Sequence, residues 1–176
     1  MAEQLPVLYK IMTLYALSRV EFALTGRQIS NVFLDLGYTN YFNVQYNLGE
    51  LVESGLVKED SYPDCSYYSL SEEGAKTAEA LTMDLSEAIR SDIDSYLKQN
   101  RLEFREAVST RANYYRTDSG DFGVRCQTLD HGTAIIDLTI TVPNEVQAKI
   151  VCRGWKEKYG DIYQYIIKAL AAGSES

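Results

Sequence analysis

Apolar residues recur at helical spacing through the first hundred positions of the chain and at every second position through much of the rest. From Leu5 to Arg19, Leu5, Leu8, Met12 and Tyr15 form one stripe, and Val7, Ile11 and Leu14 form a second beside it. So wide an apolar surface predicts a helix buried on more than one side, either a domain's central helix or a subunit contact. Thr25-Gly26-Arg27-Gln28 is a capping box, with a hydroxyl at the cap and an amide three residues later. The helix it opens carries Ile29, Val32, Phe33 and Leu36 on one face and stops at Gly37. After the short turn Tyr38-Thr39-Asn40, a third helix has Tyr41, Val44, Leu48, Leu51 and Val52 on one face and ends at Ser54-Gly55. Leu56–Glu59 and Tyr67–Leu70 read as two strands of a hairpin around a turn-rich segment, and Ser71-Glu72-Glu73-Gly74 starts another helix.

Two short helices joined by a tight turn, preceded by a helix and followed by a hairpin and a helix, are the order of a winged helix-turn-helix. The strings Leu48-x-x-Leu51-Val52-x-Ser54-Gly55-Leu56-Val57 and Tyr68-Ser69-Leu70-Ser71-x-x-Gly74 resemble the recognition-helix end and the wing-to-helix junction of PadR-like and MarR-like regulators. The whole chain also resembles a bacterial family of uncharacterised winged-helix proteins with a sheet domain appended. Gly37-Tyr38-Thr39-Asn40-Tyr41-Phe42 and Asp92-x-x-x-Tyr96-Leu97 carry that likeness. The resemblance implies a transcriptional regulator and brings no ligand, operator or catalytic residue with it.

Asp84–Gln99 reads as an amphipathic helix, after which the period changes to two. Phe104, Val108, Ala112 and Tyr114, then Phe122, Val124 and Cys126, then Ala134, Ile136, Leu138, Ile140 and Val142 alternate with polar residues. The turns Thr117–Asp121 and Asp130-His131-Gly132 divide them into a three-stranded antiparallel meander with one apolar face. A helix opened by Asn144-x-x-Gln147 and carrying Val146, Ile150 and Trp155 is expected to cover that face through about Lys158. A break at Gly160-Asp161 and a last helix with Ile162, Tyr163, Ile166, Ile167 and Leu170 follow. The expected class is α+β: a winged helix-turn-helix over residues 1–82, an α-β-β-β-α layer over 83–172 and a frayed tail at 173–176.

Composition narrows the chemistry. Single His131 sits in a turn, and Cys65, Cys126 and Cys152 follow no metal or disulfide spacing. No P-loop, dinucleotide fingerprint or nucleophile motif is present, so neither an enzyme nor a cofactor is expected. Free thiols suit a reducing cytoplasm. The acidic, polar start Met1–Gln4 lacks the pattern of a secretory signal, and no stretch approaches the roughly 18 unbroken apolar residues of a membrane helix.

With Val44, Leu48 and Leu51 inward, the third helix is expected to turn Asn43, Tyr46, Asn47 and Glu50 outward, flanked by Gln45. Amides suit adenine in a major groove, and Thr39 and Asn40 at the helix start suit a phosphate. Arg27 and Lys58 are the well-placed cations for double-stranded DNA. Charge opposes this reading: the chain carries −8, from 17 basic and 25 acidic residues, and a groove reader usually shows a basic stripe. A homodimer would concentrate the few cations. The alternative is an acidic winged-helix module that binds protein instead of DNA. On the sheet, Arg105, Arg111 and Arg125 fall on the parity of Asn113, Gln127, Asp137 and Thr139. They form either a site for a small anionic effector or a wet face with cross-strand ion pairs.

Overall fold

In the computed structural model, which describes residues 4–174, helices and strands divide into two units. The first takes in residues up to Ser61 and Cys65–Val108, and the second takes in Tyr62–Asp64 and Ser109 onward. No helix among the described residues is long and apolar enough to cross a membrane.

The first unit opens with α1 (Gln4–Ser18), whose Met12, Leu14, Tyr15, Ala16 and Leu17 are all buried. Seven consecutive residues, Ile11–Leu17, can be buried only if the helix is covered on several sides there, as the double stripe predicts, whereas Leu5 and Val7 at the start of the two stripes are exposed. The two-residue strand β1 (Leu24–Thr25) leads into α2 (Gly26–Asp35). The capping box is complete: Gln28 N–H donates to Thr25 Oγ1 at 3.2 Å, and Thr25 N–H donates to Gln28 Oε1 at 2.9 Å. Gly37, at φ +74°, turns the chain out of the helix. Asn40 caps α3 (Tyr41–Glu53), its Oδ1 accepting from Asn43 N–H at 3.0 Å.

The hairpin β2 (Val57–Ser61) and β3 (Ser66–Leu70) pairs Val57 with Leu70 and Ser61 with Ser66, and β1 joins the other edge of β3. Ser71 caps α4 (Glu72–Leu81) through Gly74 N–H at 2.9 Å. A long helix, α5 (Glu87–Ser109), completes the unit. Ile93, Leu97 and Phe104 of α5 enter the same core as Met12, Ile29, Val32, Val44, Leu48 and Leu51. The expected boundary at residue 82 therefore falls inside the first unit, because α5 supplies part of its core.

The second unit is a meander of β4 (Thr110–Arg116), β5 (Phe122–Asp130) and β6 (Thr133–Val142), in that spatial order, followed by α6 (Glu145–Ala171). His131 and Gly132 make the β5–β6 turn at φ +47° and +78°, the pair of left-handed residues a tight hairpin needs. Ala112, Tyr114, Val124 and Cys126 form the buried sheet face, and Ala148 and Trp155 of α6 close over it. Trp155 Nε1 donates to Gln127 O at 3.2 Å, so its one polar atom is satisfied at 3% exposure.

Three expectations change. Residues 104–109 are the last turns of α5, not the start of a strand: Phe104 and Val108, four apart, are buried as a helical pair. Helix α6 runs unbroken through Gly160, since a lone glycine weakens a helix without ending it. Of the side chains expected to cover the sheet, Trp155 does so, while Val146 and Ile150 are 69% and 59% exposed. The tail expected from residue 173 begins inside a short 3₁₀ turn, Ala172–Ser174, and its last two residues lie outside the described part, as do Met1–Glu3.

Candidate nucleic-acid interface

The inward side of α3 is Val44, Asn47, Leu48 and Leu51, spaced i, i+3, i+4, i+7. This leaves Phe42, Asn43, Tyr46, Gly49 and Glu53 exposed on the opposite side, with Tyr41 beside them at the first turn. Asn47 thus corrects its expected outward placement. It is 2% exposed, its Nδ2 donates to Asn43 O at 2.7 Å, and it does not reach the outer face. Gln45 is half-buried and committed inward: its Nε2 donates to Ser30 Oγ at 3.0 Å and to Gly26 O at 3.4 Å. That pair of bonds sets the first turn of α2 beside α3.

Asn43 is exposed, with Nδ2 donating to Thr39 Oγ1 at 3.0 Å. Thr39 is half-buried, and Asn40 is exposed but spends its side-chain oxygen on the cap. Tyr46 is 64% exposed and donates to Glu50 Oε1 at 3.0 Å. Lys10 Nζ lies 2.7 Å from the other oxygen of Glu50 and, with the Tyr46 hydroxyl, holds that carboxyl below its usual range. The Glu50 carboxylate in turn raises the Tyr46 hydroxyl. Arg27 and Lys58 are exposed and form no ion pair among the described residues.

The exposed side is therefore polar and aromatic, with half-buried Glu50 paired to Lys10 and Glu53 left exposed. Phe42 is 81% exposed and meets Tyr41 edge-on at 6.0 Å between centroids. The sequence places Tyr46 outward as found, but sets Tyr41 on the apolar inner face, where the structure leaves it 50% exposed, and passes over Phe42 and the Lys10–Glu50 pair. The aromatic group was visible as Tyr41, Phe42 and Tyr46 at i, i+1, i+5, whereas nothing in the sequence relates Lys10 to Glu50.

The three arginines expected on one sheet face do not all lie on the sheet. Arg105 lies on α5, in the first unit, half-buried. Arg111 and Arg125 are on β4 and β5 with Asn113 and Gln127, on one sheet face as the parity predicts. That face is not wet: Arg111, Asn113 and Gln127 are 8%, 2% and 7% exposed. Arg125 forks onto Asp137 at 3.1 and 2.7 Å and donates to the Tyr62 hydroxyl at 3.3 Å. Asn113 Nδ2 donates to Asp64 Oδ1 at 3.2 Å, and Gln127 Nε2 to Asp137 Oδ2 at 3.0 Å. Arg125 holds the Asp137 carboxyl below its usual range. With the guanidinium forked onto a carboxylate, Arg125 takes part in the sheet's own network.

Cys126 and Cys152 are packing groups of the second core. Burial pushes Cys126 up to about 12 and Cys152 up to about 11, so both stay protonated and poorly nucleophilic at neutral pH. His131 is exposed in its turn, with Nδ1 2.8 Å from Asp130 Oδ1. Among the described residues no group of three His, Cys, Asp or Glu side chains could hold a metal ion.

No curated protein and no solved structure matches the chain. A family model described as a domain of unknown function, DUF4364, matches residues 9–170, and the protein belongs to that family.

Proposed function

We propose that the first unit is a winged helix-turn-helix and that the protein is a DNA-binding transcriptional regulator working as a homodimer. The order α1, β1, α2, α3, β2, β3 and the three-stranded sheet β1-β3-β2 support the first part. So do the local strings at Leu48–Val57 and Tyr68–Gly74 that resemble PadR-like and MarR-like regulators.

The observation that carries DNA binding is the outer face of α3. It offers Asn43 to a base edge, has the Glu50 charge answered by Lys10 at 2.7 Å, and begins at exposed Asn40. Arg27 on α2 and Lys58 on β2 are exposed to meet flanking phosphates. The aromatic rings of Phe42 and Tyr46 favour a second reading, a protein-binding module. Such rings are enriched at protein interfaces, and the first 80 residues hold 5 basic against 11 acidic side chains.

Fluorescence anisotropy with a mixed pool of labelled duplexes at low salt separates the two. Micromolar binding that weakens in Asn43→Ala supports the DNA reading. Absence of binding, or binding indifferent to Asn43→Ala, sinks it in favour of the protein-binding module.

A further inference from the structure

Helix α6 has one apolar face along its whole length. In its first half Ala148, Val151, Cys152 and Trp155 use that face to cover the sheet. At 100° per residue, Tyr159, Ile162, Tyr163, Ile166, Ile167 and Leu170 continue it at i, i+3, i+4, i+7, i+8 and i+11. Ile162 still packs against the sheet core, and beyond it the cover runs out. Tyr159 and Tyr163 are 39% and 37% exposed, Ile167 is 50% exposed and Leu170 is 73% exposed, while Ile162 and Ile166 are half-buried. The only charges between residues 159 and 171 are Asp161 and Lys168, and the same helical geometry puts both on the opposite side.

We propose that this stripe is the homodimer interface, covered by the same segment of a second copy in antiparallel pairing. The stripe fits itself. A two-fold axis between Gln164 and Tyr165 brings Tyr159 level with Leu170, Ile162 with Ile167, and Tyr163 with Ile166, so every apolar side chain meets another. Because the stripe holds no charge, neither copy buries an unpaired one against the other. Two such stripes, each about 20 Å long, remove on the order of 1,000 Å² from water, the size at which specific interfaces begin. The assignment builds on the proposed function only in expecting two copies, and it does not depend on DNA affinity.

Sedimentation velocity of the full chain at about 50 µM tests it, a range suited to an interface at the small end of the specific sizes. Wild type is expected at twice the 19.9 kDa chain mass, and Ile167→Asp/Leu170→Asp at 19.9 kDa with an unchanged far-UV circular dichroism spectrum. Tyr165→Asp removes an equally exposed ring, at 73%, from outside the stripe and is expected to stay dimeric. If the double variant loses its helical spectrum, Leu170→Arg alone reads the same contact. A monomeric wild type, or a dimer that survives the stripe variants, overturns the proposal. A dimer without DNA affinity leaves it standing and overturns only the DNA reading.

Discussion

Lys10 Nζ lies 2.7 Å from Glu50 Oε2, so a cation of α1 is spent on a half-buried carboxylate of α3. The pair answers one of the two carboxylates of α3, and Glu53 stays exposed. Glu50→Gln removes the negative group and releases Lys10. If α3 faces phosphates, affinity for duplex DNA at low salt is expected to rise by roughly threefold to tenfold, as one more cation becomes available. Anisotropy titrations of the variant beside wild type check this, and a weaker complex contradicts it.

Gly74 is fixed by a carbonyl. A Cβ built there would collide with Leu56 O, which already accepts from Ser71 N–H at 3.0 Å and Ser71 Oγ at 3.1 Å. Backbone cannot move aside as a side chain can. Gly74→Ala is expected to lower stability by about 1–3 kcal/mol through overpacking, although alanine is the better helix former. Urea denaturation measures it, and an unchanged or raised midpoint would show that the junction between β2 and α4 is looser than described.

Tyr38 donates to Asp92 Oδ2 at 2.6 Å, tying the turn between α2 and α3 to α5. The bond to the Asp92 carboxylate and partial burial raise the hydroxyl from 10.0 to about 12. A folded value above the unfolded one means the stabilisation is complete below pH 10 and is lost as pH rises through about 12. Wild type is therefore expected to lose its advantage over Tyr38→Phe between these limits. Melting temperatures of both proteins across that range check it, and a gap that stays constant would show that the bond does not form in solution.

Trp155 is the chain's one tryptophan and is 3% exposed, packed from α6 onto the sheet. Its emission reports the second unit alone. Trp155→Ala is expected to cost about 3–5 kcal/mol there, the usual range for emptying a buried aromatic site. Wild-type emission should be blue-shifted and should redden in one transition on denaturation. A red-shifted native spectrum contradicts the packing of α6 over the sheet.

Much of the layout was legible because local chemistry states it directly. The Thr25–Gln28 box, the Asn144-x-x-Gln147 cap, Gly37 and the His131-Gly132 turn are short-range devices, and each forms as its residues indicate. What failed depended on choosing a period or a face. Phe104, Val108 and Ala112 fit a period of four as well as two, and the helical choice prevails as far as Ser109. Asn47 reads as outward by its polarity, yet it lies three residues from Val44 and four from Leu51, and spacing outweighs side-chain type. Arg111, Asn113 and Gln127 read as a wet face because nothing in the sequence places Tyr62 and Asp64 against their neighbours.

The proposed role of α3 and its two flanking cations, Arg27 and Lys58, is to meet the DNA backbone and bases. Its most direct measurement is the slope of log affinity against log salt for wild type and Arg27→Ala/Lys58→Ala on the same duplex. The expected result is weaker binding for the variant with a slope shallower by about 2, one for each lost phosphate contact. Equal slopes for the two proteins, or no binding by wild type at low salt, contradict that role.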